Sequence, residues 1–473
     1  MDDLPDASAA PHPDSILRLS SAVHRFSIPY INPEDHLSFE ESFKSCSVSH
    51  QSTVSVMHQA DSRRQEMKKN MADGKLSHAE LSQAVKEYIP LVNQILLSCK
   101  FQPEVARLDK RLLFSWHSGI EYIKSKKKHT FDSEALMFEL VLSLATYALS
   151  ESNLGCDACI DGDFPQASRQ FSKTAGAFQY LGEDLLPNWM ANSKQHAEME
   201  RESLAETRVG VCVAFTSLFM AQAQQMAVAT ILVKPGIPNY ALVGKLCAGI
   251  AEDLESFVST LRSKSPIHMS RMDPSFLVLI TFSINVQRAL SLYFLARSLW
   301  IVSEYGVAIA ALSEATVAMR TRSSPTGRGL PEIVPNGPLQ SLVGEMNGFR
   351  LHMSSLIKSW ERDNSLVYFD KVPPSVPANK ALKAIKLKKV EEFTLEMRDP
   401  LPLGAPVDLQ PKDNGVKATS IGSGDIDHIT DHSEGGTPPP PSYNEAMTTD
   451  PHLAGRERSD SDLARELSEK LNA

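Results

Sequence analysis

Basic residues are in deficit in this chain. Lys and Arg number 48 against 57 Asp and Glu, a formal charge of −9. A nucleic-acid binder normally carries a basic face, so no nucleic-acid partner is expected. Cysteine is scarce, at six in 473 residues, which excludes a disulfide scaffold and fits reduced thiols. Catalytic signatures are missing as well: no Gly-x-Ser-x-Gly, no His-Glu-x-x-His, no phosphate loop and no dinucleotide fingerprint. Gly244-Lys245 runs into Leu246 where a phosphate loop needs Ser or Thr. No catalytic residue, metal ligand or cofactor is expected, and the chain reads as non-enzymatic.

Targeting signals are also lacking. Met1 to Asp14 has no basic stretch followed by an apolar one, so no secretory leader is expected. Asp2 excludes N-myristoylation, and Leu471-Asn472-Ala473 is no prenylation box. One long uncharged run lies between Arg208 and Lys234. It is long enough to span a bilayer. Its Gln222, Gln224 and Gln225 would be costly in hydrocarbon, so it reads as a helix buried in protein. A cytoplasmic location follows.

Helical periodicity fills residues from about 40 to 365, and the 42% hydrophobic content is enough for a sizeable core. Ser133 to Ser150 is apolar almost all round, the mark of a helix buried on several faces. In Asp161 to Leu181, Phe164, Ala167, Phe171, Ala175 and Phe178 recur at helical spacing. The two read as an αα-hairpin joined by Asn153 to Gly162. Further helices are expected over Glu202 to Val233, Ala241 to Ser263, Pro274 to Gly306, Val307 to Arg320 and Pro338 to Asp363. Long helices with short joints predict a mainly α fold, an elongated solenoid with a tetratricopeptide-like unit but no clean repeat. Residues 323–336 read as an exposed loop. Residues 1–19 and 401–473 are expected to be disordered. The C-terminal stretch holds 13 acidic and six basic residues with Tyr443 as its only aromatic, too little apolar area to offset the cost of ordering.

Three short motifs carry candidate chemistry. Cys156-Asp-Ala-Cys159 has metal-like spacing, but no second ligand pair matches it, so both read as ordinary thiols in an interhelical loop. Lys124, Lys126, Lys127 and Lys128 form a basic run, either a solvated turn or a contact for anionic membrane. Pro440-Pro441-Ser442-Tyr443 fits the Pro-Pro-x-Tyr pattern read by WW domains, such as those of ubiquitin ligases; the alternative is a proline-rich spacer.

Several stretches occur in a telling order: Leu113-Phe-Ser-Trp116, Phe138-Glu-Leu-Val-Leu-Ser-Leu-Ala145, Phe171-x-x-x-Ala175-Gly-Ala-Phe178-Gln-Tyr-Leu181, Ala221-Gln-Ala-Gln224, Lys245-Leu246 and Asp363-Asn-Ser-Leu-Val-Tyr368-Phe-Asp-Lys-Val-Pro373. Together they resemble the BRO-type domain of Alix-like proteins over residues 20–400. The resemblance implies a boomerang-shaped helical solenoid with a tetratricopeptide-like centre and a small N-terminal β-sheet. It implies binding rather than catalysis, the ligand being the C-terminal amphipathic helix of the core ESCRT-III subunit. The matching positions are Asp157, Ala227, Leu242 and Leu246, with Ala227 standing where family members often carry a large aromatic. The absence of a following coiled-coil domain looks most like the short members that serve fungal ambient-pH signalling. Such a protein would be recruited peripherally to plasma membrane or endosomes. General endosomal sorting, or scaffolding of another soluble partner, remain the rival implications.

Overall fold

The computed structural model describes residues 13–73, 77–121, 130–192, 203–319 and 338–404. The stretches 124–128, 323–336 and 405–473 lie outside them, and with them the basic run, the expected loop and the Pro-Pro-x-Tyr motif. The described helices are α1 (Pro13–Ser20), α2 (Phe39–Ser42), α3 (Lys44–Ser47), α4 (Gln51–Asp73), α5 (His78–Phe101), α6 (Leu136–Ile160), α7 (Phe164–Gln179), α8 (Leu186–Asn192), α9 (Val209–Leu232), α10 (Tyr240–Lys264), α11 (Pro266–Arg271), α12 (Pro274–Ile301), α13 (Tyr305–Ala318) and α14 (Pro338–Asp363). Strands β1 (Tyr30–Ile31), β2 (Phe114–His117) and β3 (Thr130–Ser133) form one antiparallel sheet in that order.

Local sequence starts these helices as capping rules require. Ser77 and Glu80 close a capping box at α5, Asp163 caps α7 ahead of Pro165, and Asn239 caps α10. Each long helix then packs on the next: α4 on α5, α5 on α6, α6 on α7, α7 on α9, α9 on α10, α10 on α12, α12 on α13 and α13 on α14. This is the expected mainly helical stack with a small sheet. The uncharged run forms α9, which is mostly buried inside the fold.

Several boundaries differ from the expectation. α6 continues through the anticipated loop to Ile160, leaving Asp161–Asp163 as the joint. Gly155 makes this workable: a methyl group there would sit 3.0 Å from the Phe171 ring of α7. α9 begins only at Val209, because Arg208 is extended. α12 stops at Ile301, and Ser303 follows with a φ of 64°. Residues 13–19, expected to be disordered, are part of α1, because Ile16 and Leu19 find core to enter. Leu401 and Leu403 are likewise buried, so the folded body extends to Gly404.

Beneath the sheet lies a buried charge cluster. Arg64 of α4 donates to Glu139 of α6 (2.8 Å) and to Asp35 (2.9 Å). Tyr88 and Trp116 also donate to Glu139, at 2.8 and 2.6 Å, and the Ser115 N–H donates to Asp35 at 3.1 Å. One cation thus faces two carboxylates, and neutral donors satisfy the remaining lone pairs, as buried charges require. The cluster ties α4, α5, α6 and β2 together.

A second buried acid fixes the entry to α9. Glu206 accepts from the Ser118 hydroxyl (2.8 Å) and from the N–H groups of Gly119 (2.7 Å) and Ile120 (3.2 Å). Burial, with the Glu121 carboxylate nearby, pushes its pKa up to about 7.

The C-terminal part of the body is an extended strap. α14 ends in a turn where the Asn364 side chain bonds both the N–H and the carbonyl of Asp370, reversing the chain. The strap then crosses the whole stack. Val376 N–H donates to Glu314 of α13, Ile385 N–H to the Lys245 carbonyl of α10, and Glu391 N–H to the Ser172 carbonyl of α7. Phe393 packs on Tyr147 of α6, Gln94 of α5 donates to the Asp399 carbonyl, and Thr53 of α4 donates to the Pro402 carbonyl. Gly176 lets the strap close on α7, since a methyl group there would lie 1.8 Å from the Glu391 carbonyl oxygen.

Two outcomes follow. In an ordinary helix Gly→Ala gains about 1 kcal/mol; here Gly176→Ala is expected to cost about 1–3 kcal/mol of stability, read as a lowered urea midpoint, because the strap backbone must move. A raised midpoint would show that the strap does not seat on α7. For Glu206, the folded pKa lies above the ordinary carboxylate value of 4.5. Its stabilising effect is therefore full below about pH 4.5 and lost as pH rises through about 7. Glu206→Gln should be more stable than the parent at pH 8, with the gap closing at pH 5. An equal gap at both pH values would contradict the raised pKa.

Candidate partner-docking site

Two segments cover the stack on opposite faces. On α6, Tyr147 meets the strap residue Phe393, while Cys156 bonds the His24 carbonyl. On α9, Gln224 bonds the strap, while Phe215 meets Phe26. Each pair is nine residues apart, which at 3.6 residues per turn is two and a half turns. The strap therefore lies on one face and the N-terminal segment, from α1 to β1, on the other.

From Ser20 to Phe26 the N-terminal segment is held by side chains of α6, α9 and α12. Gln225 of α9 and Gln287 of α12 both donate to the Ser20 carbonyl, each at 3.1 Å. Cys159 donates to the Ser21 carbonyl (3.8 Å), Cys156 to the His24 carbonyl (3.5 Å) and Asn153 to the Phe26 carbonyl (2.9 Å). Phe26 sits among Phe215, Phe219 and Phe276 at centroid distances of 5.0–5.9 Å. Burial drives the His24 pKa down to about 4 against the opposing pull of Asp273, so its ring is neutral.

Of the four expected partner contacts, Asp157 alone presents an accessible side chain, 41% exposed. It sits in the last turn of α6 and is bonded by Arg25 and by His78 (3.0 Å). Burial alone would raise its pKa, but the hydrogen bonds and charge of these two partners hold it below the ordinary carboxylate value. Ala227, Leu242 and Leu246 are 1%, 6% and 0% exposed. As placed, all three side chains are buried. Gly244 and Lys245, between the two leucines, are covered by Leu382 and Ile385, and Gln224 donates to the Leu246 carbonyl at 2.8 Å.

Cys156 and Cys159 lie within α6 and not in a loop. Burial pushes their pKa values to about 12 and about 11, so both are neutral thiols that serve the N-terminal segment as donors. Sequence reasoning assigned no role at this site to Arg25, His78, Gln224, Gln225 or Gln287. A signal was present for the glutamines. An amide in an apolar helix buried in protein must find a hydrogen-bond partner, and the run at 222–225 announces three such demands.

A sequence model described as the BRO1-like domain matches residues 27–407. No curated protein matches the chain in sequence. Among solved structures, the fold resembles a Bro1 domain described as the basis for endosomal targeting, with a TM-score of 0.61 and 17% identity, covering 78% of this chain and 93% of that one. It also resembles ALIX in complex with the SIVmac239 PYKEVTEDL late domain, at 0.60 and 13%, covering 80% of this chain and 50% of that one. The complex of the ALIX BRO1 domain with CHMP4C matches at 0.55 and 15%, covering 82% and 97%.

Proposed function

The chain belongs to the BRO1-like domain family, and from that premise we propose that it is a non-enzymatic adaptor for the C-terminal amphipathic helix of a core ESCRT-III subunit. The observation that carries this reading is the family match across residues 27–407. It is supported by the likeness to an ALIX BRO1 domain solved with CHMP4C. Helix-in-groove recognition needs apolar anchors at helical spacing and a polar group to set register. Asp157, pre-oriented by Arg25 and His78, supplies the polar group. Ala227, Leu242 and Leu246 are proposed as the apolar floor, reached when covering chain yields. The small Ala227 favours a partner that is bulkier at that point.

The finer reading is a role like that of PalC, the fungal pH-response regulator. The adaptor would link ESCRT-III to a membrane-localised ambient-pH sensor, leading to proteolytic activation of a transcription factor. General endosomal sorting is the second reading, favoured by the likeness to a Bro1 domain described for endosomal targeting. In both the protein is cytoplasmic and recruited peripherally to endosomes or plasma membrane. The run Lys124, Lys126, Lys127 and Lys128 is proposed as a membrane contact. Pro440, Pro441 and Tyr443 are proposed as the ligand of a WW-domain ubiquitin ligase.

Asp157→Ala should weaken pull-down of the ESCRT-III helix about tenfold while the helical circular-dichroism signal stays. In cells the same variant should fail to grow at alkaline pH with cargo sorting intact. Undiminished pull-down removes Asp157 from the site, and a sorting defect without an alkaline defect selects the second reading. For the tail, peptide 434–450 should bind a WW domain and lose that binding with Tyr443→Ala; equal binding by both peptides would remove the claim.

A further inference from the structure

α1 precedes the family-matched span, which begins at residue 27. It packs across α9, α12 and α14. Ile16 and Leu19, three apart and so on one helix face, are buried. On the outer side Arg18 pairs with Glu345 of α14 at 3.2 Å, and the Ser15 hydroxyl donates to the same carboxylate at 2.5 Å.

The carboxyl end of α1 is the informative part. A helix leaves its last carbonyls without intrahelical partners. Here the Ser20 carbonyl receives two side-chain amides, from Gln225 and Gln287, both buried. Two buried donors converging on one oxygen form a built receptor for a helix end. With the seat empty, both N–H groups would lose their partner at a desolvation cost. The seat therefore asks for an amphipathic helix with an apolar pair three residues apart, a basic residue beside Glu345 and an open carbonyl at its end. An eight-residue helix is marginal by itself in water. α1 holds the seat because the chain supplies it at high effective concentration. From the seat the chain runs over Cys159 and Cys156 to Arg25, which occupies Asp157.

We propose that the face of α9, α12 and α14 is an exchangeable helix seat, with α1 its resident occupant and the partner's amphipathic helix its competitor. This deepens the ESCRT-III reading and rests on it: docking displaces α1 and frees the strip that ends at Asp157.

The test uses the full chain and a fluorescent peptide of the ESCRT-III C-terminal helix. Arg18→Glu places like charge against Glu345, loosens α1, and should tighten peptide binding about threefold. Adding Glu345→Arg should return the affinity to that of the parent. Hydrogen exchange at residues 16–20 should rise when the peptide binds. If all three chains bind the peptide equally and exchange at 16–20 is unchanged, the partner docks elsewhere: the inference is overturned and the adaptor reading stands. If none binds the peptide, the adaptor reading fails and the inference with it. Should Arg18→Glu lose its helical signal, Ser15→Ala, which removes a single hydroxyl, takes its place with the same expectation.

Discussion

Gln224 bonds three backbone groups at once. Its Nε2 donates to the carbonyls of Leu246 and Ile385, and its Oε1 accepts from the Leu387 N–H. That one amide joins α9, α10 and the strap at the middle of the stack. A row of antiparallel helices seals only the surfaces between neighbours and leaves two broad faces open. The strap closes one of them, and Gln224 is where it is pinned.

The two covers differ in grip. The strap bonds to elements from α13 to α4 along its length, and glycine lets its backbone touch α7. Lifting it would break many hydrogen bonds together. The N-terminal cover ends in a helix of eight residues held by two glutamines, one ion pair and two apolar side chains. Local opening favours the element with fewer buried contacts. The face that carries Asp157 is thus the one that can exchange its cover, and the face beneath the strap is the one that stays shut.

The helices were legible where composition is extreme. α9 and α12 are both long and apolar enough to cross a membrane; the glutamines of α9 mark it as core in the sequence, and burial inside the fold marks α12. The end of α6 was misread because Ser150 to Asn153 is polar. Those groups are buried and satisfied: Ser150 and Ser152 donate back to the Thr146 and Leu149 carbonyls of α6 itself, and Asn153 donates to the Phe26 carbonyl. Polarity at a helix end signals solvent only when no neighbour answers it. α1 hid in a Pro- and Asp-rich stretch, and the strap hid because extended chain that bonds a different helix every few residues has no period to detect.

By itself the sequence determined a mainly helical stack, the family through the order of its motifs, and the demand of buried glutamines for partners. Periodicity specifies which side of a helix is apolar; it does not specify what covers that side. Only the tertiary structure decided that Leu242 and Leu246 are buried, that Asp157 remains accessible, and that residues far upstream occupy the face opposite the strap. Those outcomes depend on contacts between segments hundreds of residues apart, such as Thr53 with Pro402 and the Gly404 N–H with the Cys46 carbonyl, and no local pattern encodes them.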